Sequence, residues 1–196
     1  MQARCGLLLI GLAAGDSLGA TSEFQIPWEV TKECIDKYPP WPAKIVGGGK
    51  AVWNPGEPTD DTHMAMAIVR AVNETLSEDD KSSTSNVGGV GSHVHIFKPQ
   101  NVLKHWLNWV DTRPKDIGTT TYSSLSVART REWWDGGLGI YSRNPKNYAN
   151  GSLMRNGAIP ALFPEVEEET AALDATIMHG IVTHWNPVTV ICCILH

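Results

Sequence analysis

Cysteine, basic runs, long apolar stretches and strand-like alternation are all scarce in this chain, and each scarcity excludes something. The four cysteines are Cys5, Cys34 and the adjacent pair Cys192 and Cys193, with no Cys-x-x-Cys spacing. That pattern fits free thiols in a reducing compartment rather than a disulfide framework. The 16 Lys+Arg against 21 Asp+Glu give a formal charge of -5, so binding to a nucleic-acid backbone has no electrostatic support. A small anion needs backbone amides or a metal to meet it. Leu7 to Ala14 imitates the apolar region of a secretory leader, but Gly15-Asp16 places a charge where that region should still be closing. No span of membrane length follows. The segment therefore reads as a buried amphipathic helix ending in a functional turn, and the chain as cytoplasmic, with no membrane partner. No useful run of strand alternation occurs, which makes the predicted fold all-α.

What is present is helical punctuation. Leu7 to Leu18 reads as an apolar helix with small Gly and Ala faces. Phe24 to Pro58, rich in Pro, Trp and Gly, reads as loop. Helix resumes at Thr59, where Met64, Ile68, Val69 and Val72 recur at helical spacing before Asn73 to Asp80 turns polar. Val102, Leu103, Trp106, Leu107 and Val110 form another stripe, Tyr122 to Trp134 a further helix ended by Asp135-Gly136-Gly137, and Glu165 to Ile181 one more. Asn186-Pro187 has the cap-then-proline signature of a last helix, still apolar from Val188 to His196. Residues 82–100 are poor in apolar side chains and too long for an ordinary connection, so they are expected as an exposed insertion. His93 and His95 within it lack the further ligands of a defined zinc site. Trp106, Trp109, Trp133 and Trp134 lie on helical stretches and read as packing residues rather than a base-stacking platform.

Thr59-Asp60-Asp61-Thr62 carries the most chemistry. It can be a plain helix start, with Thr59 as cap and two carboxylates favoured by the helix dipole. It can equally be an all-oxygen ligand set for Mg²⁺ or Mn²⁺, because a hard cation relieves the repulsion of adjacent carboxylates. Asn150 to Arg155 can be an ordinary Asn-Gly turn, or a phosphate-facing loop in which Gly151 admits backbone amides, Ser152 adds a hydroxyl and Arg155 a charge. Asp116 can be a turn residue before Ile117-Gly118. His184 can be a structural cap or can hydrogen-bond a nucleotide.

Taken in order, Gly11-x-x-x-Gly15-Asp16-x-x-Gly19, Glu23, Thr59-Asp60-Asp61-Thr62, Asp116-Ile117-Gly118, Asn150 to Arg155 and Thr183-His184 resemble the ADP-ribosylglycohydrolase family. The bacterial members that reactivate dinitrogenase reductase are especially similar. The resemblance covers nearly the whole chain apart from residues 82–100. It implies a compact, orthogonal multi-helix domain with a binuclear Mg²⁺ or Mn²⁺ site at the mouth of an ADP-ribose cleft. It further implies metal ligation by Thr59, Asp60 and Asp61, catalytic roles for Glu23 and Asp116, and ligand binding by Gly118, Asn150, Gly151, Ser152, Met154, Arg155 and His184. Asp16 is expected to be structural, holding the Glu23 loop. The reaction implied is hydrolytic removal of ADP-ribose from modified protein side chains, arginine first, or from related adducts. The family's later Asp-x-Asp-Thr segment has no counterpart in residues 1–196. The chain is therefore expected to be a single, C-terminally incomplete domain that binds one metal weakly or none tightly. The alternative expectation is an ADP-ribose-binding or structural pseudoenzyme.

Overall fold

The computed structural model describes residues 2–26, 45–82, 96–165 and 168–196. Among these residues there are eight helices and no strand: α1 (Gln2–Gly19), α2 (Asp60–Ser82), α3 (Pro99–Asp111), α4 (Thr119–Ala128), α5 (Asp135–Arg143), α6 (Ala158–Leu162), α7 (Glu169–Ile181) and α8 (Pro187–Leu195). One isolated antiparallel bridge, Gly48 with Trp53, closes the loop before α2. The all-α expectation holds. No helix among the described residues is long and apolar enough to cross a membrane.

The centre of the fold is the pairing of α2 with α3. Met64, Ile68, Val72 and Thr75 recur along one stripe of α2 and are almost wholly buried, as are Val102 and Trp106 on the facing side of α3. This is the i, i+4 pattern that a core-facing helix requires. The Trp106 indole N–H donates to the Met64 carbonyl at 3.1 Å, so the aromatic brings its polar atom into the core already satisfied. The polar stretch from Asn73 onward does not end α2. Asn101 donates to the buried Thr75 hydroxyl at 2.9 Å, and Lys104 and His105 meet Glu74 at 2.6 and 2.8 Å, so polar residues also dock α2 onto α3. Helices α1, α6 and α7 cover this pair from other sides.

Two boundaries differ from the sequence reading. Ile96, Phe97 and Pro99 are buried against the core, so the far end of the expected insertion belongs to the domain. Residues 83–95, including His93 and His95, lie outside the described residues. The helix expected from Tyr122 to Trp134 is really α4 alone, Thr119–Ala128, and Asp135-Gly136-Gly137 opens α5 instead of ending a helix. The glycines are there for close approach. A Cβ on Gly136 would lie 2.2 Å from the Ser124 carbonyl oxygen, backbone that cannot swing aside. Gly136→Ala is expected to lose about 1–3 kcal/mol by overpacking, read as a lower urea midpoint at unchanged slope.

Helix α8 starts as its sequence predicts: the Asn186 side chain accepts from the Val188 N–H at 2.9 Å and Pro187 occupies the first turn. Val188, Ile191 and Leu195 on α8 are at least half exposed, as are Leu7 and Ile10 on α1. Cys192 is exposed and Cys193 buried, both as free thiols, while the side chains of Cys5 and Cys34 lie outside the described residues.

Candidate active site

The N-terminus of α2 is held by a carboxylate from another helix. Asp16, on α1, accepts from the backbone N–H of Thr59 at 2.9 Å and of Thr62 at 3.2 Å. The Thr59 hydroxyl donates to it at 2.7 Å and the Thr62 hydroxyl at 2.5 Å. Asp16 therefore caps α2 from 43 residues away, satisfying N–H groups that a helix start leaves open. It holds the start of α2 rather than the Glu23 loop. With Asp16 doing the capping, Asp60 and Asp61 turn to the adjacent pocket.

That pocket has a volume of about 340 Å³ and gathers residues from five segments. Glu23 arrives on the turn after α1, Asp60 and Asp61 on α2, and Asp116 and Gly118 on the approach to α4. Asn150, Gly151 and Met154 come from the loop before α6, and His184 from the segment after α7. Larger surface grooves lie elsewhere, but each contains one carboxylate beside arginines rather than a convergent set. Four carboxylates and no Lys or Arg line this pocket. The Gly118 N–H donates to Asp60 at 3.3 Å. Burial, then the charges of Asp116, Asp60, Asp61 and Asp16, push Glu23 up to about 7. Burial and the neighbouring Asp60, Asp16 and Asp116 likewise push Asp61 up to about 7. Burial raises Asp60 and Asp116 as well. Clustered, half-desolvated carboxylates of this kind are poised for proton transfer or for a cation.

The loop at the other wall is shaped by close contact. A Cβ on Gly151 would fall 2.6 Å from His184 Cε1 and 2.8 Å from the Thr121 hydroxyl, so only glycine lets the loop press against both. His184 is buried, with only 4% of its surface exposed.

A family model for ADP-ribosylglycohydrolases matches residues 2–196. The chain belongs to the ADP-ribosylglycohydrolase family. It is 26% identical over 188 residues to an ADP-ribosyl-[dinitrogen reductase] glycohydrolase of Rhodospirillum rubrum, covering 94% of this chain and 52% of the relative. It is 28% identical over 190 residues to an ADP-ribosylarginine hydrolase of Pseudomonas putida, covering 94% of this chain and 42% of the relative. The chain thus spans about half the length of the curated relatives it matches.

Of the family-type site residues expected from sequence, Glu23, Asp60, Asp61, Asp116, Gly118, Asn150, Gly151, Met154 and His184 share this pocket. Three do not. Thr59 is 2% exposed; its hydroxyl donates to Asp16 at 2.7 Å and accepts from the Asp61 N–H at 3.4 Å. Ser152 is fully buried beneath the loop. Arg155, expected to face a phosphate, is fully buried in the core, with its guanidinium 4.0 Å above the Trp106 ring. It donates to the His179 carbonyl at 3.0 Å and to the Thr183 hydroxyl at 2.7 Å. The chain turns after Asn150 (Met154 N–H to Asn150 carbonyl, 3.0 Å), and this carries Arg155 to the inner side. Thr119, Thr120 and Thr121 also line the pocket and were not foreseen. Three β-branched residues in a row hide a helix start, though a Gly before three hydroxyl residues was a usable cap signal.

Two sets of titrating groups act against each other in this fold. Burial, then Arg155, holds His184 down at about 3, and burial holds His179 well below its ordinary 6.5. The stability from these neutral histidines is complete above pH 6.5 and is lost as pH falls, for His184 toward about 3. The raised carboxyls of Glu23 and Asp61 have the opposite sign: their contribution is complete below their ordinary values of 4.5 and 3.8 and is lost as pH rises through about 7. The melting temperature of the metal-free protein should therefore change little between pH 4.5 and 6.5. In Glu23→Gln/Asp61→Asn it should fall steadily with acid across that range. A wild-type protein whose melting temperature drops as steeply as the variant's would contradict this balance.

Proposed function

We propose that this chain carries the ADP-ribose site of a metal-dependent hydrolase that removes ADP-ribose from modified protein side chains, with arginine as the first acceptor to test. The observation that carries the reading is the convergence of Glu23, Asp60, Asp61 and Asp116 with His184 in one pocket. The first turn of α4 adds backbone N–H groups ahead of the first intrahelical bond, which Tyr122 donates to the Gly118 carbonyl at 2.9 Å. Such a turn suits a pyrophosphate, which would meet no favourable charge from the carboxylates. The names of the relatives support both the reaction class and the arginine acceptor.

The donor set fits a hard divalent cation in kind: its atoms are oxygens and its carboxylate charge is uncompensated. It does not fit a closed shell, because no group of three His, Cys, Asp or Glu side chains among the described residues is gathered closely enough to hold a metal ion. Asp60 and Asp61 would hold Mg²⁺ or Mn²⁺, and the Thr59 hydroxyl, which donates its proton to Asp16, keeps a lone pair with which it could join them. Once bound, the ion would polarise the ribose hydroxyls or a water. The binuclear arrangement of the family needs ligands beyond these. In the reaction, the bond from the anomeric carbon to the side-chain nitrogen breaks through a cationic, oxocarbenium-like state, and water oxygen takes its place. The carboxylates stabilise that positive charge. Glu23 and Asp116, whose proton affinities are raised, deliver a proton to the leaving nitrogen or take one from the water.

A second reading, ADP-ribose binding without turnover, is favoured by the open metal shell. One experiment separates the two: ADP-ribose release from an arginine-linked substrate with and without Mg²⁺, alongside calorimetric binding of free ADP-ribose. Mg²⁺-dependent release supports hydrolysis. Binding without release supports the second reading, and neither signal removes both.

A further inference from the structure

Arg155 is a buried cation whose hydrogen bonds run to His179, the Met64 sulfur and Thr183, and through Thr183 to His184, rather than to a carboxylate. A guanidinium only donates, so its bond to the Thr183 hydroxyl at 2.7 Å occupies a lone pair of that oxygen. The Thr183 hydroxyl lies 2.8 Å from His184 Nδ1. Its proton has an acceptor there, and if Nδ1 carried a hydrogen instead, the buried hydroxyl proton would have none. The same logic runs on the other side of the guanidinium: Arg155 Nε donates to His179 Nδ1 at 3.4 Å, leaving His179 Nε2–H to donate to Asn156 Oδ1 at 2.9 Å. Asn156 Nδ2 then donates to the Cys193 carbonyl at 2.9 Å. Every donor in the chain has one direction, and that direction is set by the arginine.

We infer that Arg155 and Thr183 are positioning residues that lock His184 in its Nε2–H tautomer, making it a fixed hydrogen-bond donor to an acceptor oxygen of the pocket's ligand. A second, independent observation points the same way. His184 Nε2 is a buried polar nitrogen without a protein partner, on a side chain that lines the carboxylate pocket. A buried donor left open costs on the order of 1–3 kcal/mol, so a ligand that accepts from it recovers a hydrogen bond that the free protein lacks. A neutral donor also suits this place better than a charged one: a cationic imidazole would face Arg155 across one hydroxyl. The inference rests on the ADP-ribose reading only for the identity of the probe.

The test uses the 196-residue chain labelled with ¹⁵N in its histidines. Long-range ¹H–¹⁵N correlation spectra assign the tautomers of His184 and His179, with His184→Gln and His179→Gln identifying the signals. The expected result is a single Nε2–H form for His184 in the wild type. Thr183→Val keeps the side-chain shape and removes the relay, so it should give a mixture or the Nδ1–H form, with ADP-ribose binding about tenfold weaker. Thr183→Ser should restore both. An Nδ1–H tautomer in the wild type, or an unchanged tautomer in Thr183→Val, overturns the proposal. If Thr183→Val does not fold, Thr183→Ala, which also removes the hydroxyl, gives the same readout. If the wild type binds no ADP-ribose while the tautomers behave as stated, the relay stands and the ADP-ribose reading falls.

Discussion

Arg155→Ala is expected to lose about 3–5 kcal/mol of stability, a large part of what a domain of this size possesses. Truncation removes one of the largest fully buried side chains in the fold and leaves a cavity over Trp106. It also strips donors from the His179 carbonyl and the Thr183 hydroxyl, and buried acceptors without partners cost about 1–3 kcal/mol each. Relief works in the opposite direction, because burial strains the charge itself and pulls the guanidinium down to about 9. Cavity and orphaned acceptors outweigh that relief, since Arg155 still spreads its charge over several bonds and an aromatic face. Arg155→Lys should fall between the two: it keeps a charge, but a single ammonium cannot serve the planar set of acceptors. Urea unfolding followed by circular dichroism measures all three. An alanine variant within about 0.5 kcal/mol of wild type would mean that the core relaxes around the lost side chain, and that Arg155 is not its hub.

Asp60→Asn/Asp61→Asn should separate stability from function. Without metal, the double variant is expected to melt about 2–4 °C above wild type, corresponding to roughly 1 kcal/mol after discounting for solvent at this half-open site. The sign follows from the raised proton affinities of Asp60 and Asp61: keeping both ionised near neutral pH opposes folding, and an amide removes the opposition. Helix capping is untouched, because Asp16 performs it. Adding Mg²⁺ should raise the wild-type melting temperature and leave the variant where it was. Any ADP-ribose release by wild type should drop by about a hundredfold or more. Calorimetric titration of Mg²⁺ or Mn²⁺ checks the same point directly, and equal heats from both proteins would remove Asp60 and Asp61 as ligands. A variant that melts below wild type would show that the pair stabilises α2 as helix-dipole partners, the plain reading of the tetrapeptide.

Much of this was legible from local patterns. Met64, Ile68 and Val72 repeat at the spacing of one helix face, and Val102 and Trp106 at another, so the two halves of the α2–α3 core could be read off before their pairing was known. Asn186-Pro187 encodes its own cap. Thr59-Asp60-Asp61-Thr62 announced a carboxylate pair at a helix start, and the ordered motifs marked the family whose model spans residues 2–196. Signals of this kind are carried by neighbours in sequence, and a helix period or a cap acts within four or five residues.

Where a residue's role depended on distant partners, only the tertiary structure decided it. Asp16, from another helix, takes the amides and hydroxyls of Thr59 and Thr62, and Asp61 lines the pocket. Gly136 opens a helix, where a Gly-Gly pair ordinarily ends one, because Ser124 of α4 leaves no room for a Cβ. Arg155 shares a motif with Asn150 and Gly151, yet the turn between them sends it into the core while Gly151 stays at the pocket. Composition and order along the chain determined that this protein is helical, which residues are candidates for its chemistry and which family the chain belongs to. Packing determined which way each of those side chains faces, because a turn of one or two residues reverses a side chain's direction and only the surrounding helices select among the turns.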